Sequence, residues 1–378
     1  LYKLKSFSGL SLSRDGKSAV YAVTSSCLKK GKRYSDIYLL DLKSRQTRRL
    51  TFHPASDSHP FFSPDGKFIY FLSDRNEDSQ LWRLSVQGGE AERISHFSAG
   101  ISSPHVSPDG KYIYFSSHIF PECGADSDCH RKMAEKLEKG PTQGHMGKAL
   151  LFRHWASYRD WKYTQLFKLD LESQKITALT TGKQDFPCYG GKFELSPDGR
   201  TLCTTINFDK DSAMSTNSDL MTIDLKSDKR VNLTKSNPAY DGSPIYSPDG
   251  RFIAYRFQTR ANCESDRFRL GLYDNKNGSR RVLSESIDNW VEDLKWSKDS
   301  KFIYFKVQEK GKTPIYQADI RNGKVRKVLT HAYIRDFHIS ADIRSIIYLR
   351  SAIGEPYELW KYRLKGKNQP KRLTYMNK

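Results

Sequence analysis

The sequence predicts an all-β protein: a seven-bladed β-propeller with a partly helical insertion in blade three and a ring closed without a shared strand. The first observation behind this prediction is a turn motif, Ser-Pro-Asp-Gly followed by Lys or Arg, which recurs in full or degraded form seven times. The second is its spacing of 50, 44, 89, 51, 50 and 43 residues. The third is that each unit contains four strand-like segments, which is typical of a propeller blade.

In each unit the turn motif connects the first strand to the second. It is Ser-Arg-Asp-Gly-Lys at 13, Ser-Pro-Asp-Gly-Lys at 63 and 107, and Ser-Pro-Asp-Gly-Arg at 196 and 247. It weakens to Ser-Lys-Asp-Ser-Lys at 297 and Ser-Ala-Asp-Ile-Arg at 340. Pro fixes φ, Asp bonds local amides and Gly adopts positive φ, so the motif builds turns and is not expected to carry chemistry.

The remaining strands follow the turn in a fixed order. The second, such as Lys67 to Leu72, is rich in β-branched and aromatic residues, and the third is of the type Gln80 to Ser85. The fourth ends in an apolar residue followed by Ser or Thr, as in Arg-Leu-Thr374. Blade one begins with its own inner strand and blade seven ends with its own outer strand, so we expect the ring to close without a shared strand, by packing of blade one on blade seven.

These units give seven predicted blades and one insertion. We place the blades at about 8–52, 53–96, 97–182, 183–235, 236–285, 286–331 and 332–375, in a single domain covering 1–378, with the insertion at 118–160. A helix is predicted over Asp128–Lys139, capped by Ser127 and ended by Gly140-Pro141. Twelve residues do not hold a helix alone in water, so it must pack on the propeller or on a partner.

Four residues of the insertion are candidate contacts. Met133 and Leu137 lie one turn apart on the predicted helix, and His154 and Trp155 stand where the insertion returns. We interpret the His–Trp pair as a packed anchor rather than a ligand or proton carrier, because no partner with catalytic spacing is nearby. The insertion as a whole is either a lid or binding loop for a protein partner, or a decorated loop without function.

The charge is strongly positive, with 63 Lys and Arg against 43 Asp and Glu, a net +20. Such a surface could attract nucleic acid, anionic lipid or an acidic partner. No tract of five or more basic residues occurs, so we favour a scattered surplus and expect no nucleic-acid partner. No apolar run is long enough to span a bilayer.

Six cysteines and the N-terminal residue bear on the compartment. Cys123 and Cys129 are close in sequence, which favours a local disulfide and an oxidising environment over a zinc site needing four ligands. The pairing of Cys27, Cys188, Cys203 and Cys263 is left open, with buried free thiols as one alternative. The sequence starts at Leu1 rather than Met, as after signal-peptide cleavage or trimming, and we expect an exported or periplasmic protein. No metal or cofactor is expected.

Several segments together resemble the propeller of bacterial prolyl oligopeptidase-family serine peptidases of the dipeptidyl aminopeptidase/acylaminoacyl-peptidase type, with TolB-like repeats. They are residues 119–133, 150–167 and 211–274, the last including Ser215-Thr-Asn-Ser-Asp-Leu220 and Glu264-Ser-Asp-Arg-Phe-Arg-Leu270. The sequence departs from the family pattern at four positions. Ala156 replaces an acidic residue, Trp161 replaces Gly, Met214 replaces Trp, and Cys263 replaces an aromatic residue.

The resemblance implies a propeller that covers a hydrolase active site, restricts access to short or unfolded peptides and helps to bind the N-terminal end of the substrate. No Gly-x-Ser-x-Gly motif occurs in the sequence, so no catalytic residue is assigned and this chain alone is not expected to hydrolyse peptides. The alternative is a stand-alone TolB-like propeller that acts as a protein-binding scaffold in the cell envelope.

Three charged residues between the second and third strands of blade five are candidate substrate-binding groups: Glu264, Asp266 and Arg267. A carboxylate there could pair with the free α-ammonium of a peptide. The same residues could instead form an ion-pair network that holds a long loop.

Overall fold

The computed structural model describes residues 2–76, 78–141, 144–145, 147, 150, 152–154, 157–188, 191–330, 333–366 and 369–377. Within these residues, seven four-stranded antiparallel sheets follow one another along the chain, together with one two-stranded hairpin. The prediction of a seven-bladed all-β propeller is confirmed.

Blades one to four have the following strands: β1 Ser6–Leu12, β2 Ser18–Cys27, β3 Lys32–Asp41 and β4 Thr47–Arg49; β5 Asp57–Phe62, β6 Phe68–Asn76, β7 Asp78–Ser85 and β8 Glu92–Arg93; β9 Ser102–Val106, β10 Tyr112–Ile119, β13 Tyr163–Asp170 and β14 Ile176–Ala178; β15 Phe193–Leu195, β16 Thr201–Ile206, β17 Asp219–Asp224 and β18 Arg230–Asn232. The blade-three insertion contributes a 3₁₀ turn at Pro121–Cys123, helix α1 at Ser127–Lys139 and a hairpin of β11 Arg153–His154 with β12 Ser157–Tyr158.

Blades five to seven have these strands: β19 Asp241–Tyr246, β20 Phe252–Phe257, β21 Arg269–Asp274 and β22 Arg280–Val282; β23 Val291–Trp296, β24 Phe302–Val307, β25 Ile315–Asp319 and β26 Val325–Leu329; β27 Tyr333–Ile339, β28 Ser345–Ala352, β29 Glu355–Arg363 and β30 Lys371–Arg372. Two further 3₁₀ turns lie at Leu28–Lys30 and Ser212–Met214.

The repeated turn has the geometry that its residues predict. Ser63 Oγ donates to Asp65 Oδ1 at 2.6 Å and accepts from the Phe68 amide, while Gly66 has φ +71°. In the two degraded turns the position of Gly is occupied by Ser300 and Ile343, both at φ +57°. The backbone of the turn is therefore kept where its sequence has drifted.

The hydroxyl that ends each fourth strand has a structural role. In blades one, three, four, five and seven it accepts a hydrogen bond from a third-strand amide at 2.8–2.9 Å. The acceptors are Thr51, Thr180, Thr234, Ser284 and Thr374. The short outer strands are thus extended by one side-chain bond, which explains the recurring Leu-Thr ending.

The inner strands carry bulges that the repeat motif does not predict. Register breaks occur in β1, β5, β9, β23 and β27. Residues at or beside such breaks have positive φ, including Gly9, His59, Ser103 and Asp293. A β-bulge turns the chain locally and re-aims its side chains.

The chain divides into two compact units, Leu1–Arg93 with Ile245–Ala254 and Arg267–Lys378, and Ile94–Pro244 with Tyr255–Asp266. In the first unit, hydrophobic clusters lie between blades one and two, five and six, six and seven, and seven and one. In the second unit, a cluster built on Tyr114, Phe193 and Met221 joins blades three and four.

Blades one and seven close without a shared strand, as predicted. Their sheets β1–β4 and β27–β30 are separate in the described part of the chain. The buried side chains of Phe7, Tyr21 and Leu40 pack against Ile347 and Leu359 in one cluster. Apolar packing is therefore the main contact of this closure.

The insertion differs from the prediction in its bounds and in its cap. Strand β10 ends at Ile119 and β13 begins at Tyr163, so residues 120–162 lie between them, two positions later than the predicted 118–160. The cap of α1 is Asp126, whose carboxylate accepts from the Cys129 amide at 3.0 Å, so the prediction of Ser127 is wrong. Ser127 is the first helical residue, and its hydroxyl accepts from the Ser98 amide instead.

Candidate functional site

The predicted site residues lie on loops between second and third strands. In an antiparallel four-stranded blade, the turns joining strands one to two and three to four lie at one end of the sheet, and the loop joining two to three lies at the other. The loop of blade five (258–268) and the insertion of blade three (120–162) are both of this second kind. The repeated Ser-x-Asp-Gly turns are of the first kind.

Asp266 holds the blade-five loop together. It is 8% exposed, and its Oδ2 accepts from the amides of Thr259 and Arg260 at 2.8 and 3.1 Å. Gln258 Nε2 donates to the carbonyl oxygens of Asp266 and Glu264 at 2.6 and 3.2 Å. These bonds give the Asp266 carboxylate a loop-closing role.

Arg267 anchors the start of the next strand. Its guanidinium donates to the Ile287 carbonyl and pairs with the Glu285 carboxylate at 3.1 Å. Beside it the Phe268 ring meets Trp290 edge-on, with centroids 4.9 Å apart. Arg267 therefore ties blade five to the connection into blade six.

Glu264 is the member of the trio that projects into solvent. Its side chain is exposed, and no hydrogen bond or ion pair engages its carboxylate among the residues that the structure describes. The loop presents Glu264 between Asp266, which fixes the turn, and Asn262, which has φ +55°. The arrangement offers one unpaired carboxylate on a braced loop.

A second loop braces the first, which sequence reasoning missed. The Asn262 amide donates to Thr216 Oγ1 at 3.0 Å, and the Thr216 amide donates to Asn262 Oδ1 at 3.4 Å. Thr216 belongs to the blade-four loop 207–218, whose Met214 is 67% exposed and whose Phe208 is also exposed. Thr216 and Asn262 both lie within residues 211–274, one of the segments that resemble the peptidase family, and this resemblance was the available signal.

The insertion is held to blade three by a histidine that sequence reasoning missed. His130 in the first turn of α1 is 2% exposed, and its Nε2 lies 3.0 Å from the Gly124 carbonyl oxygen. Its ring meets Phe97 edge-on at 5.4 Å and faces Phe120 at 6.2 Å. Burial among these rings lowers the pKa of His130 below its usual value.

The four predicted contact residues of the insertion behave differently from one another. Met133 is half-buried and Leu137 is 44% exposed, so the C-terminal half of α1 stands in solvent. His154 lies in β11, paired with Ser157. Trp155 lies outside the described residues, and the interpretation of His154 with Trp155 as an anchor stays a prediction.

The return of the insertion keeps a backbone geometry suited to glycine. Asp160 and Trp161 have φ +48° and +64°. The Asp160 carboxylate accepts a hydrogen bond from His145 Nδ1 at 2.7 Å, and the His145 ring stacks on Tyr158 with centroids 3.6 Å apart. Trp161 therefore adopts a left-handed backbone conformation that favours glycine.

The cysteines fall into two groups. The sulfur atoms of Cys123 and Cys129 lie within bonding distance, with their Cα atoms 5.5 Å apart. The thiols left over are unpaired: Cys27, Cys188, Cys203 and Cys263. Burial raises the pKa of Cys188 to about 11 and also raises that of Cys203, so neither is a ready nucleophile.

The described part of the chain contains no group of three or more His, Cys, Asp or Glu side chains placed to hold a metal ion. None of its helices combines the length and apolarity that crossing a bilayer requires.

Comparisons with known proteins agree with this architecture. Residues 11–142 match the family described as the TolB beta propeller domain. Dipeptidyl-peptidase 5 of Porphyromonas gingivalis is 30% identical over 380 residues, which covers 97% of this chain and 53% of that protein. Dipeptidyl-peptidase 5 of Porphyromonas endodontalis is 26% identical over 370 residues, with 94% and 52% covered.

Solved structures show the same fold at lower identity. The acylaminoacyl peptidase of Pyrococcus horikoshii gives a TM-score of 0.75 at 17% identity, covering 100% of this chain and 53% of that one. The β-propeller domain of the Trilobed protease from Pyrococcus furiosus, described as having an open velcro topology, gives 0.69 at 17% identity and covers 100% and 98%. The chain spans about half the length of the curated relatives it matches. It is a TolB-like β-propeller domain, homologous over nearly all of its length to about half of dipeptidyl-peptidase 5.

Proposed function

We propose that this propeller is the non-catalytic, substrate-selecting part of a serine peptidase of the dipeptidyl-peptidase 5 type. The observation that carries the proposal is the 30% identity to the Porphyromonas gingivalis enzyme over 97% of this chain. Acyl transfer needs a positioned nucleophile, base and oxyanion hole, and no Gly-x-Ser-x-Gly motif is present to supply them here. In this proposal the peptide bond is cleaved by a hydrolase part, and the propeller limits which peptides reach it.

Glu264 is the residue that we assign to substrate binding. Removal of dipeptides from a free N-terminus requires recognition of an α-ammonium, and an unpaired carboxylate supplies a charge-assisted acceptor for it. The exposure of Glu264, and the bracing of its loop by Asp266 and by the Thr216–Asn262 link, support this role. Asp266 and Arg267 would act as positioning residues for that loop.

The peptidase proposal is tested on the native protein. Antibodies against this chain isolate it from its source cells, and a fluorophosphonate probe labels any reactive serine hydrolase in the isolate. We expect a labelled serine in the same polypeptide or in a stably bound one, together with release of dipeptides from peptides with a free N-terminus. An isolate without a labelled serine would contradict the proposal.

The role of Glu264 is tested by Glu264→Gln in the native, active protein. We expect kcat/KM on peptides with a free N-terminus to fall about tenfold or more, with most of the change in KM, because a charge-assisted contact is lost. The matched control is Glu172→Gln, an exposed carboxylate on the turn that leads from β13 to β14. Equal activity of the two variants would refute the assignment of Glu264.

A scaffold in the cell envelope is the second candidate function. The observation that favours it is the blade-three insertion, which leaves Leu137, Leu150 and Phe152 exposed. A protein partner bound there would cover these side chains. The same isolation distinguishes the two functions, since a scaffold would bring down a partner that the fluorophosphonate probe does not label, and Leu137→Glu would release it.

Export is part of both candidates. We propose that Cys123 and Cys129 form a disulfide in an oxidising compartment, where such bonds persist. Cells are lysed in a thiol-alkylating reagent and the peptide that contains both residues is weighed with and without prior reduction. Alkylation of both thiols without reduction would contradict a disulfide.

A further inference from the structure

The hairpins between the second and third strands of blades one and seven are longer than that of blade five. Strands β2 and β3 have ten residues each, and β28 and β29 have eight and nine, against six each for β20 and β21. Four extra residues extend a strand by about 13 Å. The two hairpins therefore project beside each other where blade one packs on blade seven.

A cavity of about 700 Å³ lies between these hairpins. The segment before β1 lines one side of it through Tyr2 and Leu4, the blade-one hairpin lines a second side through Cys27 and Leu28, and Tyr357 of β29 lines a third. This volume is within the range of sites that hold small ligands or short peptide segments, about 300–1,000 Å³, and is too small for a folded domain.

The polar groups of the cavity are predominantly cationic. Lys5, Lys32 and Arg33 line it, and their side chains have no acidic or carbonyl partner among the residues that the structure describes. The carboxylate in the lining, Glu355, pairs with Arg350 at 2.9 Å. Three uncompensated positive charges therefore face one concave space.

Apolar side chains surround these charges. Tyr2, Leu4 and Leu28 in the lining are exposed, and Ile353, at the two-residue turn between β28 and β29, is fully exposed. Exposed apolar groups beside unpaired cations fit a ligand that carries both carboxylates and apolar side chains.

We propose that this cavity binds a short acidic peptide segment in which carboxylate and apolar side chains alternate. The carboxylates pair with Lys5, Lys32 and Arg33, and the apolar side chains contact Leu4, Leu28 and Tyr357. An anionic membrane would also attract the cations, but the concave shape and limited volume favour a bounded segment. The site does not depend on the proposed peptidase role, since it uses neither Glu264 nor a hydrolase.

The probe is the acetylated, amidated pentapeptide Glu-Leu-Glu-Leu-Glu, and the readout is the rate at which iodoacetamide alkylates each thiol. Cys27 lies in the cavity, whereas Cys263 lies on the blade-five loop and serves as an internal reference. At saturation the peptide slows alkylation of Cys27 about fivefold or more and leaves Cys263 unchanged, because the bound state excludes the reagent. Protection weakens between 0.02 and 0.3 M NaCl because exposed charge pairs are screened.

The controls change the charge of the peptide and the position of the reversed charges on the protein. The peptide Lys-Leu-Lys-Leu-Lys gives no protection, and the double variant Lys32→Glu with Arg33→Glu binds the acidic peptide about tenfold more weakly or worse. The matched variant Lys226→Glu with Lys229→Glu reverses two exposed charges on the turn between β17 and β18 and leaves protection intact.

Three results would overturn the inference. They are equal protection of Cys27 and Cys263, equal protection by the two peptides, and protection of Cys27 by phosphatidylserine vesicles without protection by the acidic peptide. The last result would assign the surface to a membrane instead.

Discussion

Asn377 joins the segment after β30 to the segment before β1 through a reciprocal pair of hydrogen bonds with Lys5. The Lys5 amide donates to Asn377 Oδ1 at 2.7 Å, and Asn377 Nδ2 donates to the Lys5 carbonyl oxygen at 3.0 Å. The Asn377 amide donates in turn to the buried carboxylate of Glu358 at 2.9 Å. These hydrogen bonds thus add a polar link to the apolar packing that closes blades one and seven.

We expect Asn377→Ala to lower the free energy of unfolding by about 2 kcal/mol, because two half-buried backbone groups lose their partners. Amide hydrogen exchange should rise first in β1 and β30. Asn289→Ala is the control, since Asn289 is exposed and its loss should change stability by less than about 0.5 kcal/mol. Unchanged exchange in β1 of the Asn377 variant would show that apolar packing alone closes blades one and seven.

The repeat was predictable because its determinants are local. Ser63, Asp65 and Gly66 interact within one turn, so each position can be interpreted without knowing the fold. The bulge at Asp293 and the pair of Lys5 with Asn377 were not predictable. Each depends on residues distant in sequence that only the assembled sheets bring together.

Ile343 stands at φ +57°, a conformation that a β-branched residue resists. We expect Ile343→Gly to raise the free energy of unfolding by about 1 kcal/mol, since the left-handed penalty of Ile exceeds the added chain entropy of Gly. Thermal and urea unfolding measure the change. A lower melting temperature would mean that the packing of the Ile343 side chain outweighs its backbone strain.

Ser300 supplies the contrast, because it has the same φ but a contact of its own. Its hydroxyl accepts from the Asp249 amide at 3.1 Å and so links the turns of blades five and six. Ser300→Gly should therefore give no stabilisation, since it removes that bond along with the strain.

The sequence does not distinguish the surroundings of the three candidate site residues of the blade-five loop. Glu264, Asp266 and Arg267 are charged neighbours in sequence, and only the structure shows that Arg267 pairs with Glu285 and that Asp266 faces its own loop. His130 gave no signal, because a histidine on a short polar helix has the same sequence appearance whether it is buried or exposed.

His130 makes stability depend on pH in a direction that can be stated. Its pKa is lowered in the folded protein, so the unfolded chain binds the extra proton first as pH falls below about 6.5. Stability is thus full above that value and is lost below it, by at most about 1.4 kcal/mol per pH unit for one proton. We expect His130→Phe to flatten the fall in melting temperature between pH 7.5 and 5.

The control for that change is His53→Phe, because His53 is exposed and lies outside the insertion, on the connection between blades one and two. Proteolysis at pH 5 provides a local readout, since protonation of His130 should release α1 and expose residues 120–141 to cleavage. Identical pH profiles for wild type and His130→Phe would remove His130 as the cause.

The Lys306 side chain is 8% exposed, and its ammonium group binds two partners. Its Nζ lies 2.6 Å from Asp293 Oδ2 and 2.8 Å from the Arg335 carbonyl oxygen. It therefore ties the bulge of β23 to the inner strand of blade seven. We expect Lys306→Met to lower the free energy of unfolding by about 2 kcal/mol, because the Asp293 carboxylate loses this ion pair and the Arg335 carbonyl oxygen loses this donor. Adding Asp293→Asn should recover part of that loss, since Asn tolerates φ +47° and carries no charge.

The exposed pair of Lys17 with Asp15 gives the comparison, and Lys17→Met should lower the free energy of unfolding by less than about 0.5 kcal/mol. Equal costs at the two lysines in urea unfolding would mean that Lys306 adds nothing beyond a surface pair.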